Sequence, residues 1–164
     1  MKRAIAFLLS LLTTLSLVVG AAGQSLQLAP VTGSAGEWVT VPIVLQRSPG
    51  REPTALQWEI EIANQLEPES QRIARAPLVV IEAGKSLTCA VAGNSAEGRL
   101  LRCVLAGGQK PIPTGTIVLL PLRITDRAQA GAARIRLDHA LAVTEDLKQL
   151  PINPVETVVT IRAH

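Results

Sequence analysis

The residues best suited to chemistry in this sequence are two cysteines, a close pair of glutamates and two histidines. Cys89 and Cys103 are the only thiols, and they flank a turn-like GNSAEG within CAVAGNSAEGRLLRC. Such a pair could be two free thiols, a metal or redox couple, or a disulfide. A structural zinc site takes four ligands; beyond the cysteines only His139 and His164 are available, and no CxxC spacing exists. A redox pair usually sits closer in sequence, at a helix start. The disulfide is the reading that the flanking residues favour. Leu87, Cys89 and Val91 share one strand face, and Leu101, Cys103 and Leu105 share one face of the next. Folding the chain at Ala96 sets Cys89 opposite Cys103 and Val91 opposite Leu101, the arrangement of a stapled hairpin. Closing a loop of that size is worth about 3 kcal/mol in the chain-entropy model.

Glu59 and Glu61 lie two residues apart, about 6.6 Å along one strand face, within the range of paired glycosidase carboxylates. Catalytic acids that flank a substrate usually come from different elements. Here both belong to the polar side of one strand, beside Gln57, and a solvated strand face is the simpler expectation. His139 has no nucleophile motif near it and reads as a structural strand histidine. Asp126, Asp138 and Asp146 are too dispersed for a calcium loop. The glycines of AGGQ (106–109) lack the lysine and the strand–helix context of a phosphate loop. No cofactor, no metal site and no catalytic residue is expected, and the sequence reads as a non-enzyme.

The elements that carry these residues are mostly strands. WVTVPIVLQ (38–46) alternates, with Val39, Val41, Ile43 and Leu45 on one side. LQWEIEI (56–62) alternates likewise, with Leu56, Trp58, Ile60 and Ile62 against Gln57, Glu59 and Glu61. Period two with one apolar face is a half-buried strand. TIVLLPLRIT (116–125) reads as a central strand whose Pro121 must sit at an edge or bulge. ARIRLDHALAV (133–143) alternates less cleanly, and TVVTIR (157–162) closes the chain. Turn signals separate these runs, so the spacing predicts an all-β sandwich. ANQLEPESQRIARAP (63–77) is polar, with a weak helical hint over 69–76, and reads as a loop with at most one short helical turn.

The first 23 residues stand apart. A basic start (Lys2, Arg3), an apolar run from Ala4 to about Val19 and the small residues Ala21 and Gly23 predict a secretory signal peptide, helical in its apolar part, over residues 1–23. The run is short for a membrane anchor. The rest, 24–164, is one domain's worth of chain. Lys2 and Arg3 leave with the signal, so Lys plus Arg falls from 16 to 14 against 13 acids. The remaining basic residues are scattered, which gives nucleic-acid binding no support. An even cysteine count suits a secreted, extracellular or periplasmic, protein with no membrane span in its mature part.

Two features point outward. Trp38 is out of phase with the core side of its strand and is the candidate carbohydrate contact. Trp58 shares phase with Leu56 and Ile60 and belongs to the core. If Cys89 and Cys103 point inward, Thr88, Ala90, Leu100, Arg102 and Val104 point outward, and a flat face of that mix suits protein recognition.

The ordered set GEWVTVPIVL (36–45), ALQWEIEI (55–62), AGKSLTC (83–89) with LRCVLAGG (101–108), IPTGTIVLLPLRIT (112–125), and AGAARIRLDHALAVTEDLKQLPI (130–152) followed by TVVTIR (157–162) resembles the cohesin modules. It is similar in particular to single-domain, cohesin-like secreted proteins of non-cellulosomal bacteria. The resemblance covers about residues 25–163 and implies a nine-stranded jelly-roll sandwich, in a superfamily that also holds carbohydrate-binding modules. Cohesins bind dockerin helices through one flat sheet face. By analogy that face would carry Gln57, Glu59, Glu61, Thr88, Leu100, Arg102 and Val104. The expected function is a secreted, non-catalytic binding or scaffolding module with a dockerin-like or other protein partner. The alternative is a carbohydrate-binding module tied to polysaccharide binding or breakdown, but the mature part offers only two Trp, not a planar row of aromatics.

Overall fold

The structure, a computed structural model, describes residues 23–69 and 73–163. The expected signal peptide therefore lies outside the described residues, apart from Gly23. Among the described residues no helix is long and apolar enough to cross a membrane. The chain forms β1 (Ser25–Leu28), β2 (Val31–Ser34), β3 (Trp38–Gln46), β4 (Pro53–Ala63), β5 (Leu66–Pro68), α1 (Leu78–Glu82), β6 (Ser86–Asn94), β7 (Gly98–Ala106), β8 (Gly115–Ile124), β9 (Gly131–Thr144), β10 (Gln149–Ile152) and β11 (Val155–Arg162). One sheet runs β1-β3-β8-β5; the other runs β2-β11-β9-β4-β7-β6, with β10 also on β9.

The predicted sandwich is present. Val41, Ile43 and Leu45 of β3 and Leu120, Leu122 and Ile124 of β8 are buried from one sheet. Leu56, Trp58, Ile60 and Ile62 of β4, Leu101, Cys103 and Leu105 of β7, and Ile135 and Leu137 of β9 are buried from the other. Two inner faces of Val, Leu and Ile thus make one core, as period-two patterning requires.

Among the described residues eleven strand segments are present where the resemblance implied nine strands. The difference lies in two interruptions. β1 and β2 are one extended run that changes sheet at Ala29–Pro30, where proline has no N–H to give to a ladder. β10 and β11 keep one register on β9, Ile152 opposite Ala140 and Val155 opposite Leu137, and break at Asn153–Pro154. Counted as single strands, these two runs restore nine.

Two local expectations are corrected. The 63–77 segment is not simply loop: Leu66 is buried and β5 pairs Leu66–Pro68 with the end of β8. Residues 70–72, within the weak helical hint over 69–76, lie outside the described residues; a helical turn is present just after the segment, at Leu78–Glu82, where Pro77 precedes the first turn and Val80 fills the core. In the hairpin, the fold at Ala96 holds from Ser86 to Val91, but one extra residue near Ala92 shifts the tip, so Gly93 faces Leu100. Of the two places expected for Pro121, an edge or a bulge, it takes a local edge. Its neighbour two residues back, Leu119, exchanges bonds with Arg75 on the β5 side. The ring nitrogen of Pro121 faces that same side, just beyond the Pro68 end of β5, where no ladder donor is required.

Candidate functional site: the outer face of the seven-stranded sheet

Strand pairing decides which outward residues become neighbours. β6, β7, β4 and β9 lie side by side. Thr88 faces Val104, Val104 faces Gln57, and Gln57 faces Leu141. In the next row Ala90, Arg102, Glu59 and Asp138 succeed one another, and in the third Gly93, Leu100, Glu61 and Arg136. The seven residues placed on a binding face by resemblance, Gln57, Glu59, Glu61, Thr88, Leu100, Arg102 and Val104, therefore form one contiguous patch. Gln57, Thr88, Arg102 and Val104 are exposed, while Leu100, Glu59 and Glu61 are half-buried.

The hairpin that carries four of these seven residues is fixed covalently and sterically. Cys89 and Cys103 form a disulfide with Cα atoms 4.1 Å apart, the close spacing of a pair that exchanges no backbone hydrogen bonds. Gly98 starts β7 against β4: a Cβ there would stand 1.8 Å from the carbonyl oxygen of Ile62. No other residue type fits so near a neighbouring backbone.

Electrostatics organise the centre of the patch. Arg102 donates from Nη2 at 2.6 Å and from Nε at 3.0 Å to Oε1 of Glu59. The second carboxylate oxygen lies 3.1 Å from Nδ1 of His139. The Arg102 hydrogen bond, offset in part by burial and reinforced by the charges of Arg102 and His139, holds the Glu59 carboxyl below the usual glutamate range. Only 18% of the Glu59 side chain is accessible, against 64% for Arg102, so the solvated glutamate expected from the sequence is in fact clamped. Arg136 pairs with Asp138 at 2.6 Å and Arg134 pairs with Glu97, extending the charged mesh along β9.

His139 is the residue that sequence reasoning misplaced. It is not a packed structural histidine; its side chain is 76% exposed and its φ is +49°. Between Gln57 and Glu59 of β4, β9 spends one residue too many, which is a β-bulge. The bulge moves the buried phase from Ala133, Ile135 and Leu137 to Ala140 and Ala142 and turns His139 out over Glu59. The broken alternation of LDHALA was the signal in the sequence. Lys85 gave no such signal. It is 3% exposed, and its Nζ donates to the carbonyls of Thr54 (2.9 Å), Gly107 (2.5 Å) and Gly108 (3.4 Å). Burial draws its pKa below the ordinary lysine value, and the three carbonyls supply the acceptors that a buried ammonium needs.

The patch is poorly suited to acid–base work. A glycosidase acid needs a raised pKa, whereas Glu59 is held ionised by Arg102. Among the described residues no group of three or more His, Cys, Asp or Glu side chains is placed to hold a metal. Trp38 is 56% exposed, but it pairs with Arg123 on the four-stranded sheet, on the opposite outer surface of the sandwich. It stands apart from the patch. Trp58 is in the core, 1% exposed.

No protein-family model matches the sequence, and no curated protein matches it. Solved structures do match. A non-cellulosomal cohesin from the hyperthermophilic archaeon Archaeoglobus fulgidus is similar over 87% of this chain and 93% of its own, with TM-score 0.66 and 12% identity. The sixth cohesin of Acetivibrio cellulolyticus scaffoldin B, solved in complex with a Cel5 dockerin, is similar over 85% and 99%, with TM-score 0.68 and 15% identity. A cohesin module from a Clostridium perfringens family 33 glycoside hydrolase is similar over 87% and 97%, with TM-score 0.64 and 12% identity. At such identities the likeness is one of architecture, and the architecture is plain: this chain is a β-sandwich of the cohesin fold.

Proposed function

We propose that the protein is an exported, non-catalytic binding module that recognises a protein partner, of dockerin type or another, through the outer face of β9-β4-β7-β6. The observation that carries this reading is the contiguity of the patch. Strand register gathers Thr88, Val104, Gln57, Arg102, Glu59, Leu100 and Glu61 into three adjoining rows on an open sheet face. Its parts have distinct uses. Val104, 42% exposed, and the half-buried Leu100 supply apolar area. Arg102 is anchored by Glu59 yet mostly accessible, so its remaining donors can meet a partner acceptor without loss of rotamer freedom on binding. The cohesin structures solved with dockerins support a protein partner, and the disulfide supports a life outside the reducing cytoplasm. Arg102 clamping Glu59 supports a non-enzymatic role.

The test is calorimetric titration of dockerin modules into the protein, beside depletion assays on insoluble polysaccharides. The expected result is dockerin binding that weakens about tenfold or more in Arg102→Glu and Val104→Asp, both exposed positions, with the circular dichroism unchanged. Binding that survives both substitutions, or retention on polysaccharide that is lost in Trp38→Ala, would overturn the reading in favour of another surface or of a carbohydrate ligand.

A further inference from the structure

The sheet that carries the patch ends in an unusual edge. Among the described residues β6 pairs only with β7. It is nine residues long, and its sequence SLTCAVAGN has no charge and no proline. Native sheets usually blunt such an edge with a short strand, a proline, a lysine or a bulge. The other edges here follow that rule: β1 and β2 have four residues each, and β5 has three and ends in Pro68. In β6 the bulge near Ala92 protects only the hairpin tip, and the straight stretch Ser86–Val91 is left open.

The disulfide fixes which backbone groups that stretch presents. Cys89 and Cys103 are a close pair, 4.1 Å between Cα atoms, so neither bonds to the other's backbone. By alternation Leu87, Cys89 and Val91 all turn their N–H and C=O away from β7, toward the open edge. Their side chains lie on the core side. Val91 is nevertheless 55% exposed and Leu87 half-buried, because among the described residues no strand lies beyond β6 to cover them.

The geometry points to a second copy of this chain as the occupant, paired antiparallel through β6 about a two-fold axis at Cys89. In that register Cys89 meets Cys89 of the other copy, and Leu87 meets Val91, each as a hydrogen-bonded pair. Leu87 covers the exposed Val91 of the other copy, and Thr88 meets Ala90. A strand paired with itself places like residues near the axis, where equal charges would repel. SLTCAVAGN brings none. The same two-fold carries the hairpin end of one copy toward the start of β6 in the other. There α1 exposes Leu78, Val79 and Ile81 at 69, 53 and 54%. Such a contact is isologous and closed, so it stops at the dimer. It leaves the outer face of each sheet free and turns both faces to the same side, which makes the assembly bivalent.

Sedimentation equilibrium on the disulfide-bonded protein, from micromolar to millimolar concentration, tests this together with amide hydrogen exchange. The expected result is a monomer–dimer equilibrium in which the amides of Leu87, Cys89 and Val91 gain protection as concentration rises. Val91→Pro removes an outward-facing N–H that takes no part in the ladder with β7, and Val91→Lys sets an ammonium against Leu87 of the other copy. Each should weaken association about tenfold or more, whereas Arg102→Glu should leave it unchanged. A protein that stays monomeric, or a dimer that persists in both Val91 variants with those amides exchanging freely, overturns the proposal. Neither outcome bears on recognition by the outer face, which Arg102→Glu reports separately.

Discussion

Removing the disulfide offers the most direct measurement of what holds the hairpin in place. Cys89 and Cys103 are 14 residues apart. Releasing a loop of that size returns entropy to the unfolded chain worth about 3 kcal/mol at room temperature. In Cys89→Ala/Cys103→Ala the fully buried Cys103 also loses packing, worth about 1 kcal/mol. For a domain of this size a loss of 3–4 kcal/mol lowers Tm by roughly 6–16 °C. Urea unfolding followed by circular dichroism measures the change. The structure adds a local consequence. Among the described residues β6 has a single neighbour, β7, so without the staple it can fray while β4 and β9 remain folded. The amides of Thr88 and Ala90, which face β7, should then exchange faster than those of Ile60 in β4. A loss below about 1 kcal/mol, with β6 exchange no faster than in the parent, would refute the reasoning.

Three further outcomes are expected. Gly98→Ala should cost about 3 kcal/mol or more, because the added methyl meets the Ile62 carbonyl oxygen at 1.8 Å and either β4 or β7 must give way; chemical denaturation checks it. Lys85→Met should cost about 2–4 kcal/mol by stripping the carbonyls of Thr54, Gly107 and Gly108 of their shared donor, with Lys85→Arg recovering part of the loss. Acid should destabilise the fold in a defined sense. Glu59 is held below its ordinary 4.5 by Arg102, and Asp146 is drawn from 3.8 to about 2 by hydrogen bonds from Lys148 and Thr144. Depressed carboxylates bind more protons when unfolded, so their contribution is present above the ordinary carboxylate range and is lost as pH falls through the folded values. Urea midpoints from neutral pH down to about 2 should therefore decline, and Glu59→Gln should make the decline shallower.

How far the fold could be read in the sequence depended on how much of each signal was local. Period-two alternation in WVTVPIVLQ and LQWEIEI is a property of adjacent residues, and it fixed both the strands and their buried sides, down to Trp58 inward and Trp38 outward. The cysteine pairing followed from the same parity, since two apolar strands around one turn leave few registers. Where the signal was interrupted, the sequence showed only that something changed. LDHALA broke its alternation, but that the extra residue would turn His139 over Glu59 depends on which β4 residues lie opposite. Leu66 sits in a polar stretch and Val80 in a short apolar run just after it, and only packing against the rest of the core buried both, one from a strand and the other from a helical turn. Lys85 had no local mark because its three carbonyl partners come from segments 22 to 31 residues away. The patch itself divides the same way. Alternation told which residues of each strand face out, a one-strand property. That Thr88, Val104, Gln57 and Leu141 form one row is a matter of pairing across four strands, and long-range register is set by the packed core as a whole and not by any segment of it.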